Sequence, residues 1–311
     1  MQQANILRLY ILASRRASVA SCSPRTPTTL NWFSKYDGNL LGCALLGTGM
    51  ALTGSCPGTV FVQVGMGLRS GFEVLFGSVI GGILFTGWGS KLKRQVVAAK
   101  ANSAANGNGE VKKSKPVLTV QDALHTPELP TVAAYSALCI AVVSLVMKYL
   151  PDSQATLLNP LLGGTLMGLS QLSSLVLTGN TLGVSGSFEA IGKIFWKLVG
   201  GSPADRKEGK KASWPSVTSL FFAGGIALGS FLYWHGPAPH ALPPVGSIPV
   251  TTGRAVLGGL LMAFGSRVAG GCTSGHGISG MSMLSLASVA SVASMFGVGI
   301  AVGTGLKAVG L

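Results

Sequence analysis

The stretch 253-GRAVLGGLLMAFGSRVAGGCTSGHGISG-280 decides the fold. It opens as an apolar helix and then turns into small, Gly-rich polar backbone carrying Cys272 and His276. An apolar run, Met281–Val302, follows at once. In lipid, every unpaired N–H or C=O costs several kcal/mol. A break between apolar helices is therefore tolerated where protein packs around it or where it lines a hydrated path. A thiol at such a break is a candidate pathway group.

The pattern occurs earlier as well. LGCALLGTGMALTGSCPG (Leu41–Gly58) aligns without a gap on LGGLLMAFGSRVAGGCTS (Leu257–Ser274), pairing Gly42 with Gly258, Gly49 with Gly265, Gly54 with Gly270 and Cys56 with Cys272. A degenerate third copy, LLGGTLMGLSQLSSLVLTGNTLG, runs from Leu161 to Gly183, with Thr181 at the cysteine position. Repeated broken helices are the sequence mark of a transporter core built from inverted repeats.

Composition points the same way. Across 311 residues the mean hydropathy is +0.51 and 10% of residues are charged. Apolar runs of roughly 20 residues, the length that spans a bilayer, recur along the chain. Soluble parallel-sheet proteins have shorter apolar runs alternating with amphipathic helices. The expected class is all-α: a polytopic transmembrane helical protein with internal inverted repeats and re-entrant half-helices. The 45 glycines suit helices whose backbones approach closely. The net charge of +14 sits mainly in loops, without a basic-aromatic recognition motif, which excludes nucleic acid as a partner. Five cysteines at scattered spacings form neither a disulfide framework nor a paired zinc motif.

Taken in order, residues 1–38 read as a poorly ordered N-terminal segment. Arg8, Arg15, Arg16 and Arg25 with many Ser and Thr also give it the composition of a mitochondrial presequence. Residues 39–90 form a first membrane repeat with its break at Gly54–Gly58, where Pro57 cannot donate a hydrogen bond. Residues 91–130 form a basic cytoplasmic loop. Residues 131–306 hold the remaining membrane helices, including the degenerate repeat at 157–200 and the Cys272 repeat at 253–306. Spans are expected at Phe72–Trp88, Thr131–Leu150 and Trp214–Trp234. Between the basic loops, Leu157–Leu177 and Val184–Val199 are two apolar stretches where the charge rule demands an odd number of crossings. One of them should enter and return, near LTGNTLG.

Cys56 and Cys272 occupy matching places, and a pseudo-two-fold arrangement brings both towards its axis near the bilayer middle. A thiol is a weak donor and a polarizable contact for sulfur. Ser55, Thr273 and Ser274 add hydroxyls, Thr181 holds the matching place in the third copy, and the N–H groups of the half-helices starting at Thr59 and Gly275 favour an anion. His276 lies four residues after Cys272, but structural zinc takes four ligands, so it reads as a packing or path-lining histidine. Cys43 and Cys139 read as packing. Glu189, inside an apolar helix, should face the interior or a cavity. Cys272 with His276 has no orienting acid nearby and no soluble catalytic domain around it, so an enzyme is not expected.

At GMALTGSCPGTVFVQVG (Gly49–Gly65) and GGLLMAFGSRVAGGCTSGHGISG (Gly258–Gly280) the chain resembles the YeeE/YedE sulfur-transport (thiosulfate transporter) family, closest to fungal-type members, over roughly residues 39–306. The resemblance implies an hourglass-shaped helical protein that takes up thiosulfate through hydrogen bonds to a line of thiols. By motif, Cys56 of GSCPG and Cys272 of GGCTSGHG match relay positions. The family has a further cysteine near its N-terminus, after an apolar helix. That helix is missing here and Cys22 in SCSPRTP is no convincing match, which leaves three readings open: an N-terminally shortened member, a relay of two thiols, or impaired transport.

The expectation is a transporter for a small sulfur oxyanion, most plausibly thiosulfate, without cofactor or metal, in the plasma membrane or a mitochondrial membrane. The path would be lined by Cys56, Cys272, Ser55, Pro57, Gly58, Thr273, Ser274, Gly275, His276 and Thr181. Its partners would be the inorganic sulfur anion, the lipid bilayer and a cytosolic sulfur carrier or sulfurtransferase. Two alternatives remain: a membrane component passing sulfane sulfur to that cytosolic partner, and a structural membrane protein that transports nothing.

Overall fold

The computed structural model of the chain describes residues 24–30, 32–89, 118–149, 160–178, 183–201, 217–236 and 250–310. Cys22, Thr181, His240 and the basic clusters at 91–115 and 206–211 lie outside the described residues. Every regular element among the described residues is helical.

The first copy folds as α1 (Asp37–Thr53), α2 (Thr59–Gly65) and α3 (Arg69–Leu84), the last running on as a π-helical turn, Phe85–Gly89. Then come α4 (Val120–Leu124), α5 (Glu128–Tyr149), α6 (Pro160–Thr178), α7 (Gly186–Leu198) and α8 (Thr218–Trp234). The Cys272 copy closes the chain with α9 (Thr252–Val268), a π-helical turn (Thr273–Gly280) and α10 (Leu286–Ala308). Both breaks begin at a glycine in the left-handed region, Gly54 at φ 63° and Gly270 at φ 80°. Only glycine adopts that conformation at no steric cost, so each helix stops where its sequence first allows it.

The two copies pack their long helices against each other. Gly42 of α1 meets Gly265 and Ala269 of α9, and Gly49 meets Gly258 and Met262, so the pair runs antiparallel. A Cβ on Gly49 would lie 2.5 Å from the Gly258 carbonyl, and one on Gly265 would lie 2.6 Å from the Gly42 carbonyl. The same close approach joins α9 to α3, where Gly81 faces the Leu260 carbonyl, and α1 to α10, where Gly47 faces that of Met295. Leu46, Val60, Val74, Met262 and Met295 fill the space between these helices. Without a hydrophobic force between helices in lipid, such small-residue seams supply the packing energy.

Arg69–Gly89 and Leu286–Ala308 are long and apolar enough to cross a membrane, and α9 with its π-helical turn, bent by 45°, makes a third if taken as one span. Pro130–Leu145 and Thr218–Trp234 are shorter apolar helices. On α5, α8 and α10, Leu138, Phe221, Leu232 and Ile300 point outward, as lipid contact requires. The 13 residues of α7 reach about 20 Å at 1.5 Å per residue, short of the roughly 30 Å of hydrocarbon.

The apolar run Met281–Val302 is not one helix, although its composition reads that way. Leu284 sits at φ 47°, and an antiparallel bridge joins Ser285 to Thr119. Val120 N–H donates to the Leu284 carbonyl at 2.9 Å and Leu286 N–H to that of Leu118 at 3.1 Å. Residues 118–124 thus close the end of the second break, although they fall in the stretch expected to be a loop.

Residues 24–30, within the expected poorly ordered segment, run as a strap tied to the core. Asp37 accepts the N–H groups of Leu30 (2.6 Å) and Trp32 (2.8 Å), and Asn39 accepts that of Thr28 (2.7 Å). Ser285 donates to the Arg25 carbonyl at 2.9 Å.

Leucine at Gly49 or Gly265 should cost ~1–3 kcal/mol or more, because a carbonyl cannot move aside as a side chain can. Leucine at Gly224 or Gly303, with open space around them, should be tolerated. Thermal unfolding of the detergent-purified variants tests this contrast.

Candidate functional site

The first break is held by its own side chains. Thr59 Oγ1 accepts the Cys56 N–H at 2.7 Å and lies 3.5 Å from Cys56 Sγ. Thr53 caps its own helix end: its hydroxyl donates to the Gly49 carbonyl at 2.8 Å and takes the Ser55 N–H at 3.2 Å. Ser55 donates to Gln63 Oε1 at 2.9 Å. Pro57 is fully buried, whereas Cys56 keeps partial exposure.

The second break is more enclosed. Cys272 is 1% exposed. Its sulfur lies 3.1 Å from Ser274 Oγ and also meets the hydroxyl and N–H of Ser185 and the N–H of Gly275. The helix end leaves the Ala269 carbonyl open, and three donors converge on it: Thr28 Oγ1 at 3.1 Å, Asn39 Nδ2 at 3.2 Å and His276 Nε2 at 3.2 Å. A carbonyl only accepts, so His276 carries its proton on Nε2. Its Nδ1, 3.1 Å from Ser288 Oγ, then accepts from that hydroxyl. His276 therefore works as a brace for the break.

The two breaks meet through residues 183–186, which follow the degenerate third copy. A Cβ on Gly58 would lie 3.8 Å from Cys56 Sγ and 3.9 Å from Val184. The next residue, Ser185, touches Cys272. Beside this junction opens a cavity of about 800 Å³, within the range of small-molecule sites. Cys56, Gly58, Thr59, Thr273 and Ser274 line it, with Tyr135, Ser170, Val184 and a ring of apolar residues from α8 and α10. Among the described residues, none that lines it is charged. Hydroxyls, one thiol and backbone supply its polar contacts.

Of the residues expected to form the path, Cys56, Gly58, Thr273 and Ser274 are brought together on this wall. Cys272 and Gly275 lie just behind it, and Ser55, Pro57 and His276 shape the breaks from within. Thr181 is outside the described residues. Glu189 is accounted for: it pairs with Arg267 of α9 and with Lys193 at 2.6 Å. Cys43 is buried in one cluster with Cys272 and bonds to Ser291. No group of His, Cys, Asp or Glu suited to a metal occurs among the described residues.

Ser185 and Arg25 were missed by sequence reading. Ser185 stands in GVSGS, a small-residue turn directly after the third break, and that adjacency was its available signal. Arg25 looked like one of several arginines in a polar leader. It instead donates from Nη1 to the Gly270 carbonyl at 3.0 Å.

A family profile described as Sulphur transport matches residues 9–302. The chain belongs to this family. The match begins well ahead of residue 39, where the motifs had suggested the likeness would start. A probable transporter of Xylella fastidiosa strain 9a5c is 33% identical over 123 residues, which is 40% of this chain and 75% of that protein. A probable transporter of strain Temecula1 / ATCC 700964 is 34% identical over the same share of each chain. As a sulphur transport family member the chain is an integral membrane transporter for a sulfur anion and not an enzyme.

Exposure ranks the thiols of this transporter. In a chain carrying Cys22→Ser, N-ethylmaleimide should label Cys56 at least about tenfold faster than Cys43, Cys139 or Cys272, since reaction needs an accessible thiolate. Peptide mass spectrometry over a time course measures the order, and equal rates would mean the second break is open.

Proposed function

We propose that the chain imports thiosulfate across the plasma membrane, passing it from Cys56 to Cys272 by hydrogen bonds and without covalent capture. The observation that carries this is the junction itself: Cys56 on the cavity wall, Cys272 behind it, and Val184–Ser185 touching both breaks. A sulfur oxyanion has two faces. Its oxygens accept from the hydroxyls of Thr59, Thr273, Ser274 and Ser185, while its terminal sulfur suits the soft S–H of a cysteine.

The order of events follows from exposure. The anion enters the cavity with part of its water and takes the half-exposed Cys56 thiol and Thr59 as first partners. It then reaches the buried thiol of Cys272 as Ser274 and Ser185 exchange their bonds to that sulfur for bonds to the anion. The antiparallel packing of α1 on α9 supports the inverted-repeat reading, because the matching helices of the two copies run in opposite senses. Gly275 and His276 act by holding the second break in shape.

Labelled thiosulfate uptake in cells lacking their own importers tests the proposal. A hydrogen bond to a charged group is worth about 1.5–3 kcal/mol, so Cys56→Ala and Cys272→Ala should each lower uptake about 10- to 100-fold at unchanged membrane levels. Full uptake by either variant would remove its thiol from the relay. A persulfide on Cys56 or Cys272, seen by mass spectrometry together with retained uptake, would favour delivery of sulfane sulfur to a cytosolic carrier.

A further inference from the structure

We propose that Arg25 is the fixed positive charge that makes the constriction at Cys272 selective for anions. The proposal rests on the transport reading above and adds to it the residue that sets the sign of the cargo.

Among the described residues the cavity lining carries no charge, so a dianion leaving it for the second break loses water without meeting a counter-charge on them. The cations packed nearby are already committed. Arg267 and Lys193 share Glu189. Arg25 is different. Among the described residues it has no carboxylate partner; Nη1 holds the Gly270 carbonyl, and Nε, like those of Arg254 and Arg267, is buried without a partner among them.

Its position is set from both sides. Thr28 ties the strap to the Ala269 carbonyl at 3.1 Å, and Ser285 holds the carbonyl of Arg25 itself. The guanidinium therefore lies on the loop from Gly270 to Gly275. Nη1 is 3.2 Å from where a Cβ on Gly271 would sit, and Nη2 is 3.1 Å from the corresponding point on Gly275. Glycine at both positions leaves that face clear. Gly275, three residues after Cys272, thus carries the guanidinium against the loop that holds the thiol.

A guanidinium removed from water without an anionic partner is costly, and the cost is offset whenever an anion occupies the thiol beside it. Its planar fork offers up to five N–H donors, one of them used for Gly270. An anion at Cys272 would thus find, on the far side of the loop, a charge that the described lining of the cavity does not carry. His276, the other titratable group on this loop, is occupied by Ala269 and Ser288.

The test is the concentration dependence of labelled thiosulfate uptake by the full chain, Arg25→Lys, Arg25→Gln and Arg25→Met, with membrane levels matched by immunoblot. Removing the charge in the Gln and Met variants should raise KM about tenfold or more, while the Lys variant stays within about threefold. Gln keeps a donor for the Gly270 carbonyl, so equal KM values for Lys and Gln would reduce Arg25 to a staple and overturn the proposal. If neither uncharged variant reaches the membrane, Arg25 is a folding residue and the proposal fails as well. No uptake by the unsubstituted chain would overturn the transport reading itself, which separates that failure from one confined to Arg25.

Discussion

The structure depends on how one interrupted helix disposes of its open carbonyls. When α9 stops at Val268, the carbonyls of Ala269 and Gly270 lose their helical partners in a setting where water is scarce. Thr28, Asn39, His276 and Arg25 supply the replacements. These donors come from the strap, from α1 and from the π-helical turn beyond the break. Satisfying one helix end thereby fixes the relative positions of three segments distant in sequence. The first break needs less, because Thr53, Ser55 and Thr59 close it locally.

This difference explains the unequal burial of the two thiols. A break closed by its own neighbours stays open to the cavity, and Cys56 keeps partial exposure. A break closed by three segments is covered by them, and Cys272 ends buried with Ser274 at its sulfur. Matching positions in two sequence copies thus differ in access: Cys56 meets the cavity and Cys272 is buried behind it. Glycine seams make the arrangement rigid, since carbonyls face bare α-carbons along α1, α9, α3 and α10 and leave no room to slide.

Much of this was legible in the sequence because glycine and proline act locally. Gly54, Pro57 and Gly270 place both breaks without reference to the rest of the chain, and the apolar run Phe72–Trp88 falls within α3 and the turn that continues it. The kink at Leu284 was not legible, since an apolar residue at positive φ leaves no compositional trace. The expected span there is a helix only from Leu286. Glu189 announced itself as a costly charge inside an apolar helix, but its partner Arg267 lies 78 positions away and only the fold brings them together. The strap was hidden for the opposite reason. Residues 24–30 carry few apolar side chains, and their order comes from hydrogen bonds to buried Asp37 and Asn39, which hydropathy counts against burial.

The distribution of charge carries the functional logic one step further. A transporter for an anion must avoid two faults: a path so apolar that the ion never leaves water, and a site so positive that the ion never leaves the protein. Pairing Glu189 with both Arg267 and Lys193 ties strong cations to a carboxylate. The cavity wall then offers neutral donors whose single bonds are weak enough to exchange. The Arg25 guanidinium, unpaired with a carboxylate among the described residues and set against the Gly271–Gly275 backbone, would attract an anion at a distance without forming the bidentate clamp that would trap an oxyanion. Binding that is favourable enough to enter and divided enough to leave is the requirement for conduction in any ion path, and this division of charge meets it.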